Sequence, residues 1–321
     1  MKRIGIFCGG FSSEFDISIS SAKAILASIP KIYDAFLIVV RRGDWRVVYK
    51  NEECSLDLND VTFAYNGEKL DLDYGLVYIH GNPGENGKIQ AFLEMKQIPC
   101  INSGALASEL SFDKWFCNQF LRGFNVPVAK SVLLHAHKIV SAEKIVEKLG
   151  LPVFVKPSDS GSSFGITKVK TLEELPQAID AAFQEGESVV VESNLSGTEI
   201  TCAAYRGDGG VKALPVTEIV AEGEFFDYRA KYEGKSQEIT PARISEDMTK
   251  KVQDLTISIY KILRLRSVAR VDFMIVNNIP HVIEVNTTPG FCPASLVPQM
   301  IKVQGITNED FWSEIIAIET A

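Results

Sequence analysis

Several features are scarce or missing in this sequence of 321 residues. Its six cysteines (Cys8, Cys54, Cys100, Cys117, Cys202, Cys292) are scattered, and no Cys-x-x-Cys pair occurs. That pattern argues against a disulfide framework or a zinc ribbon and fits free thiols in a reducing cytoplasm. No apolar run is long enough to span a bilayer. Met1-Lys2-Arg3 does precede an apolar stretch, but Gly9-Gly10 interrupts it too early for a secretory core. Basic residues are not in excess: 33 Lys and Arg face 41 Asp and Glu, a net charge of −8, which speaks against general nucleic-acid binding. The first apolar run is not followed by G-x-G-x-x-G, and no Gly-Lys-Ser/Thr closes a Walker loop. Repeats and low-complexity tracts are also absent.

What is present has the composition of a soluble globular protein, 46% hydrophobic and 23% charged, with length for two or three domains. The stretch richest in chemistry runs from Arg270 to Leu296. Val271, Phe273 and Ile275 alternate with Asp272 and Met274, Asn277-Asn278 supplies a turn, and His281 to Val285 returns, so it reads as a β-hairpin. Asp272, Glu284 and Asn286 then lie on pairing strands, with Glu284 and Asn286 on one face. Three hard oxygen side chains suit Mg²⁺, which keeps some waters and shares substrate phosphates. Acids near hairpin ends are ordinarily just solvated. Arg270 beside these acids and the Gly290 turn behind them tilt the reading toward phosphoryl chemistry.

The rest of the chain supplies a frame. Ile4 to Cys8, the glycine turn and a helix over Ile17 to Ile29 form a βα unit of a doubly wound domain. Phe36–Val40, Arg46–Tyr49 and Leu76–Ile79 read as further strands, whereas 51–70 is polar and uninformative. His80-Gly-Asn-Pro-Gly-Glu-Asn-Gly is a shaped loop at a strand's carboxyl end, where open α/β sheets place ligands, and a plain turn explains its glycines better than it explains His80 and Glu85. Ser108 to Phe120 reads as one helix, carrying Lys114. Pro152 to Pro157 is a strand ending in Lys156, and the glycine- and serine-rich stretch 158–165 that follows is suited to cradling phosphates. Thr171 and Glu174 form a capping box for a helix leading to Ser188. Val189 to Glu199 is a buried strand leaving into a polar linker. Three antiparallel strands follow over 199–220, and 225–236 has the composition of a lid. Met248, Val252, Leu255, Ile259 and Ile262 form the core stripe of a helix over Ser245–Leu263, and a last helix begins near Asn308.

These segments resemble the D-alanine–D-alanine ligases of the ATP-grasp superfamily over nearly the whole chain. The resemblance is carried by Gly-Gly…Ser-x-Glu, His-Gly-x-x-Gly-Glu, Ser-x-Asp-Lys, Lys-Pro…Gly-Ser-Ser-x-Gly, Lys-Tyr, and Arg-Val-Asp…Glu-Val-Asn. It implies that Glu14 holds the ammonium of the first D-alanine, with His80 and Glu85 beside it. Lys114, Lys156, Ser163 and Lys231 would meet ATP phosphates, Glu192, Ser193, Asn194 and Leu195 would form the adenine hinge, and Glu199 would hold the ribose. Tyr232 would bond Ser162, an arrangement that goes with an amine acceptor, whereas phenylalanine there goes with D-lactate. Arg270 and the Gly290 N–H would form an oxyanion site, Ser295 and Leu296 would hold the substrate carboxylate, and Asp272, Glu284 and Asn286 would bind metal. Phe15, Asp16, Asn86, Ser160 and Cys292 depart from the commoner family residues.

The expected fold is α/β, with a doubly wound domain over 1–102, a central ATP-grasp lobe over 103–195 and a C-terminal lobe over 196–321. The expected activity joins two D-alanines through an acyl phosphate, for peptidoglycan precursor synthesis. It uses ATP and two Mg²⁺ ions, with Mn²⁺ as an alternative, in a cytoplasmic homodimer that has no nucleic-acid or membrane partner. The rival readings are a ligase for D-lactate or D-serine and a non-catalytic nucleotide-binding relative.

Overall fold

The computed structural model describes residues 1–136, 140–159, 165–221 and 236–321. Ser162, Ser163, Lys231, Tyr232 and most of the expected lid lie outside these residues. Among them three sheets organise the chain, and no helix is long and apolar enough to cross a membrane.

The first sheet contains β1 (Lys2–Gly9), β2 (Tyr33–Arg41), β3 (Asp44–Tyr49), β4 (Glu52–Asp57), β5 (Thr62–Tyr65), β6 (Glu68–Leu70) and β7 (Tyr74–Val77), in the order β6-β5-β4-β3-β2-β1-β7. β1 runs parallel to both β2 and β7, and the strands beyond β2 form an antiparallel meander. α1 (Phe15–Ser28) covers one face, packing Ala22 and Ile25 on Ile4, Ile6 and Cys8. α2 (Lys88–Met95) covers the other, packing Ile89 and Leu93 against Phe7, Val77 and Ile79. Apolar side chains on both sides of β1 explain its near-continuous hydrophobic run. The stretch over 51–70 is not featureless: it holds β4, β5 and β6. Its strands are short and half-exposed, and register comes from a tertiary contact, with Phe63 edge-on to Phe36 at 5.0 Å and to Tyr49 at 5.4 Å.

The helix expected over Ser108–Phe120 is in fact two, α3 (Ala105–Phe112) and α4 (Lys114–Arg122). Asp113 leaves the helical region and its carboxylate accepts the Phe116 N–H at 3.0 Å, so it caps α4 instead of continuing α3. Aspartate competes for nearby backbone donors in this way, and an apolar stripe alone does not reveal the break.

The second sheet is antiparallel, with β8 (Ser131–His135), β9 (Val153–Pro157), β10 (Thr167–Val169) and β11 (Ser188–Ser193) in the order β10-β9-β11-β8. α5 (Ala142–Leu149) starts after Ser141 and stops at Gly150, whose φ of 75° only glycine adopts readily. α6 (Leu175–Phe183) ends short of the expected Ser188. Only half of the expected capping box forms: Glu174 accepts the Thr171 N–H at 3.3 Å, while the helix itself begins at Leu175.

The third sheet contains β12 (Thr198–Gly207), β13 (Gly210–Ala213), β14 (Thr217–Ala221), β15 (Ser236–Ile239), β16 (Val268–Val276) and β17 (Ile279–Asn286). Its order is β15-β14-β12-β16-β17, with β13 also on β12. α7 (Glu246–Ile262) lays Val252 and Ile259 on Ile200, Cys202, Val271 and Phe273. α8 (Leu296–Val303) and α9 (Asn308–Glu319) complete the chain. Asn277 and Asn278 turn the β16–β17 hairpin with φ of 49° and 61°, as a two-residue type I′ turn requires.

One core joins the first and third sheets: Ile4, Ile6 and α1 pack with Tyr205, Val268, Phe291 and Trp312. The Tyr78 hydroxyl donates to the Pro289 carbonyl at 2.7 Å across this junction. The carboxyl ends of β1 and β7 are thereby held against the loop that follows β17.

Candidate active site

The N-terminal wall of the site grows from these strand ends. Gly9 and Gly10, with φ of 88° and 103°, turn the chain after β1. Ser18 fixes α1 beneath them, accepting the Gly9 N–H at 2.9 Å and donating to the Tyr78 carbonyl at 2.7 Å. This sets Glu14, only 8% exposed, at the start of α1. Ser12 Oγ donates to the His80 carbonyl at 2.8 Å, tying the two glycine-bearing loops together. Gly81 has a φ of 68°, and its N–H binds Glu85 Oε2 at 2.8 Å.

Burial dominates the electrostatics here. It holds the His80 imidazole below its ordinary value, against the pull of Glu14, so the ring is neutral. His80 Nε2 lies 3.3 Å from Ser21 Oγ, which also accepts the Phe291 N–H at 3.2 Å. Burial, with the charge of Glu14 behind it, pushes Glu85 up to about 7.

The opposite wall is the hairpin. Its register pairs Arg270 with Asn286 and Asp272 with Glu284. Arg270 grips Asp272 with two parallel hydrogen bonds, Nε to Oδ1 and Nη2 to Oδ2, both 2.8 Å. Asp272 also accepts from Thr201 Oγ1 at 2.5 Å and Asn286 Nδ2 at 3.1 Å. Glu284 lies 3.7 Å from the Lys114 ammonium, which α4 delivers from its first turn. Among the described residues no group of three His, Cys, Asp or Glu side chains gathers as a metal cage. The side chains of Asp272, Glu284 and Asn286 would offer two carboxylates and one amide oxygen, a hard donor set that suits Mg²⁺ better than a transition metal because Mg²⁺ takes its remaining ligands from water and phosphate.

The loop from Thr287 to Ser295 closes the floor. A Cβ on Gly290 would lie 3.0 Å from Ser295 Oγ, a tight approach that the missing side chain relieves. Ser295 stands at the N-terminus of α8 without spending its side chain on a cap bond, and a helix N-terminus favours a carboxylate.

A cavity of about 340 Å³ unites these walls. Glu14, His80, Glu85, Lys114, Arg270, Glu284, Asn286, Gly290, Ser295 and Leu296 line it together, although they come from distant parts of the chain. Asp272 stands behind Arg270 and does not line it. The remaining expected residues form a second group on the central sheet. Lys156, on β9, pairs with Glu192 of β11 at 2.7 Å, with their side chains 7% and 8% exposed. Glu192 Oε1 also faces Asn118 Nδ2 at 3.4 Å. The Ser193 and Asn194 N–H groups are spent on the Lys130 and Pro152 carbonyls. Among the described residues, the Leu195 N–H has no backbone partner. Glu199 follows on β12.

Two features escaped the sequence reading. Ser158 Oγ donates to Asp113 at 2.5 Å and its carbonyl accepts the Lys114 N–H at 2.8 Å, so α4 is bolted to the start of the glycine-serine stretch. Only the Asp-Lys pairing hinted at this. Glu238 of β15 also lines the cavity, and no local pattern marked it.

Residues 3–103 match the family described as D-ala D-ala ligase N-terminus, and residues 120–317 match the D-ala D-ala ligase C-terminus. A D-alanine--D-alanine ligase of Azobacteroides pseudotrichonymphae is 42% identical over 321 residues, covering 98% of this chain and 99% of the relative. The VanG D-Ala:D-Ser ligase from Enterococcus faecalis superposes with a TM-score of 0.88 at 30% identity, over 99% of both chains. A D-alanine--D-alanine ligase from Bacillus anthracis complexed with ATP gives a TM-score of 0.80 at 28% identity, over 100% of this chain and 98% of that one.

Proposed function

The chain belongs to the D-alanine–D-alanine ligase family and is an ATP-dependent ligase of peptidoglycan precursor synthesis, and we propose that the cavity between its first and third sheets is where two D-alanines meet. The observation that carries this reading is the convergence of Glu14 and His80 with Arg270, Gly290 and Ser295 on one cavity.

In this reading the first D-alanine puts its ammonium on Glu14. Its carboxylate takes the γ-phosphoryl group of ATP, and ADP leaves. The amine of the second D-alanine attacks the acyl carbon, a C–N bond forms, the C–O bond to phosphate breaks, and the amine loses its proton. Negative charge develops on the carbonyl oxygen during attack. Arg270 and the Gly290 N–H are the donors suited to it, and the bidentate bond to Asp272 preorganises the guanidinium. The acceptor's carboxylate sits at Ser295 and Leu296, on the α8 N-terminus. Neutral His80 and the Glu85 carboxyl shape the floor without adding full charges beside Glu14.

Lys114 and Lys156 meet the phosphates, with Ser163 and Lys231 as their expected partners. The adenine edge reads Glu192 to Leu195, where the Leu195 N–H is the donor left for it, and Glu199 takes the ribose. Asp272, Glu284 and Asn286 would hold Mg²⁺, which when bound offsets phosphate charge. Tyr232 with Ser162 favours an amine over D-lactate. The units 1–102, 103–195 and 196–321 follow the three sheets, a homodimer rests on the family resemblance, and a cytoplasmic setting is supported by six free thiols.

The test is phosphate release from ATP with D-alanine, D-serine and D-lactate as acceptors, with mass spectrometry of the products. D-Alanyl-D-alanine is the expected main product. A main product containing D-serine or D-lactate would replace the acceptor assignment, and no product with any acceptor would overturn the reading.

A further inference from the structure

Resting on that reading, we propose that Glu238 determines acceptor specificity by binding the ammonium of the second D-alanine. Two zwitterions must enter the cavity, and each needs an anionic partner for its ammonium. Four carboxylates line it: Glu14, Glu85, Glu238 and Glu284. Glu14 serves the first substrate. Glu85 is committed to the Gly81 N–H within its own loop. Glu284 faces Lys114. Asp272 is neutralised by Arg270 and lies behind it. Glu238 is the carboxylate that remains.

Its position is specific. Gln299 Nε2 donates to Glu238 Oε2 at 2.5 Å and to the Ala294 carbonyl at 2.9 Å. This bridge places the carboxylate beside the residue before Ser295. Gln299 also stands one turn from Ser295 on the same helix face, its N–H bonded to the Ser295 carbonyl at 3.3 Å. In an α-amino acid the ammonium is on the carbon next to the carboxylate. An acceptor anchored at Ser295 therefore carries its ammonium within reach of Glu238. One oxygen is held by Gln299, and Oε1 has no hydrogen-bond partner among the described residues. A hydroxy acid such as D-lactate has no cation to offer here, so the same group discriminates between amine and hydroxyl acceptors.

The experiment measures phosphate release by the full chain, varying D-alanine at saturating ATP to resolve first-site and acceptor KM and varying ATP at saturating D-alanine to give its KM, for the unmodified protein, Glu238→Gln and Glu238→Ala. Glutamine preserves the bond to Gln299 and removes only the charge. The acceptor KM should rise about tenfold to a hundredfold, the loss of one charge-assisted hydrogen bond, while the KM values for ATP and first-site D-alanine stay put. With D-alanine and D-lactate both supplied, the ester share of product should grow. An acceptor KM unchanged in both variants would overturn the proposal, as would a rise shared equally by ATP, which marks a structural role. If the unmodified protein makes no D-alanyl-D-alanine, the functional reading itself fails, and this inference fails with it.

Discussion

Replacing Glu85 by glutamine should stabilise the protein at neutral pH, by an amount that grows as pH rises. The carboxyl is half-buried at the loop after β7, where it accepts the Gly81 N–H at 2.8 Å. Burial first, and the charge of Glu14 second, raise it from 4.5 to about 7. Its folded-state value therefore lies above its unfolded one, and the folded protein holds this proton more tightly. The stability it contributes is complete below about pH 4.5 and is lost as pH rises through about 7. That interval corresponds to about 3 kcal/mol. At ~2.1 cal/mol/K of unfolding entropy per residue, a chain of 321 residues converts this into a Tm difference of about 4–5 °C. Glutamine keeps an oxygen for Gly81 but never ionises, so it escapes the loss. Thermal unfolding of both proteins between about pH 5 and pH 8 measures the effect. A Tm difference that stays flat across that range, or one that turns against the glutamine variant toward alkaline pH, would refute the reasoning.

Glu14→Gln should raise the KM for first-site D-alanine by about tenfold to a hundredfold, since a charge-assisted bond is lost, with little change in the KM for ATP; steady-state kinetics against each substrate separates the two. Glu284→Gln, isosteric beside Lys114, should abolish turnover at ordinary Mg²⁺ while circular dichroism and Tm stay close to the unmodified protein, and full activity in that variant would remove Glu284 from the metal set. Lys156→Met leaves Glu192 buried without its cation and should cost about 3–5 kcal/mol of stability; it should also weaken ATP binding, which calorimetry with a non-hydrolysable nucleotide would read.

Much of the architecture was legible because its signals are local. The β16–β17 hairpin follows from alternation and two asparagines that tolerate left-handed backbone, and α5 follows from Ser141 and Gly150 at its ends. The misses are equally instructive. The single helix read over 108–120 divides at Asp113, because a side chain captured the Phe116 N–H and Ser158 captured that side chain. The meander over 51–70 takes its register from Phe63 against Phe36 and Tyr49, contacts that no window on the sequence contains.

The same division holds for the site. Residue types and spacing by themselves singled out Lys156, Arg270, Asp272, Glu284 and Asn286 as candidates for phosphate and metal chemistry, and the family resemblance added Glu14. Only tertiary structure decided how they are disposed: Arg270 spends two donors on Asp272, Lys156 is bound to Glu192, and the charge of Glu14 acts on Glu85. Only tertiary structure brought Glu238 into the cavity, through Gln299, 61 residues further along the chain. A side chain's type and its neighbours in sequence set its intrinsic chemistry. Its charge state and its partners depend on what lies across the cavity, and that is fixed by the packing of sheets whose strands are far apart in the chain.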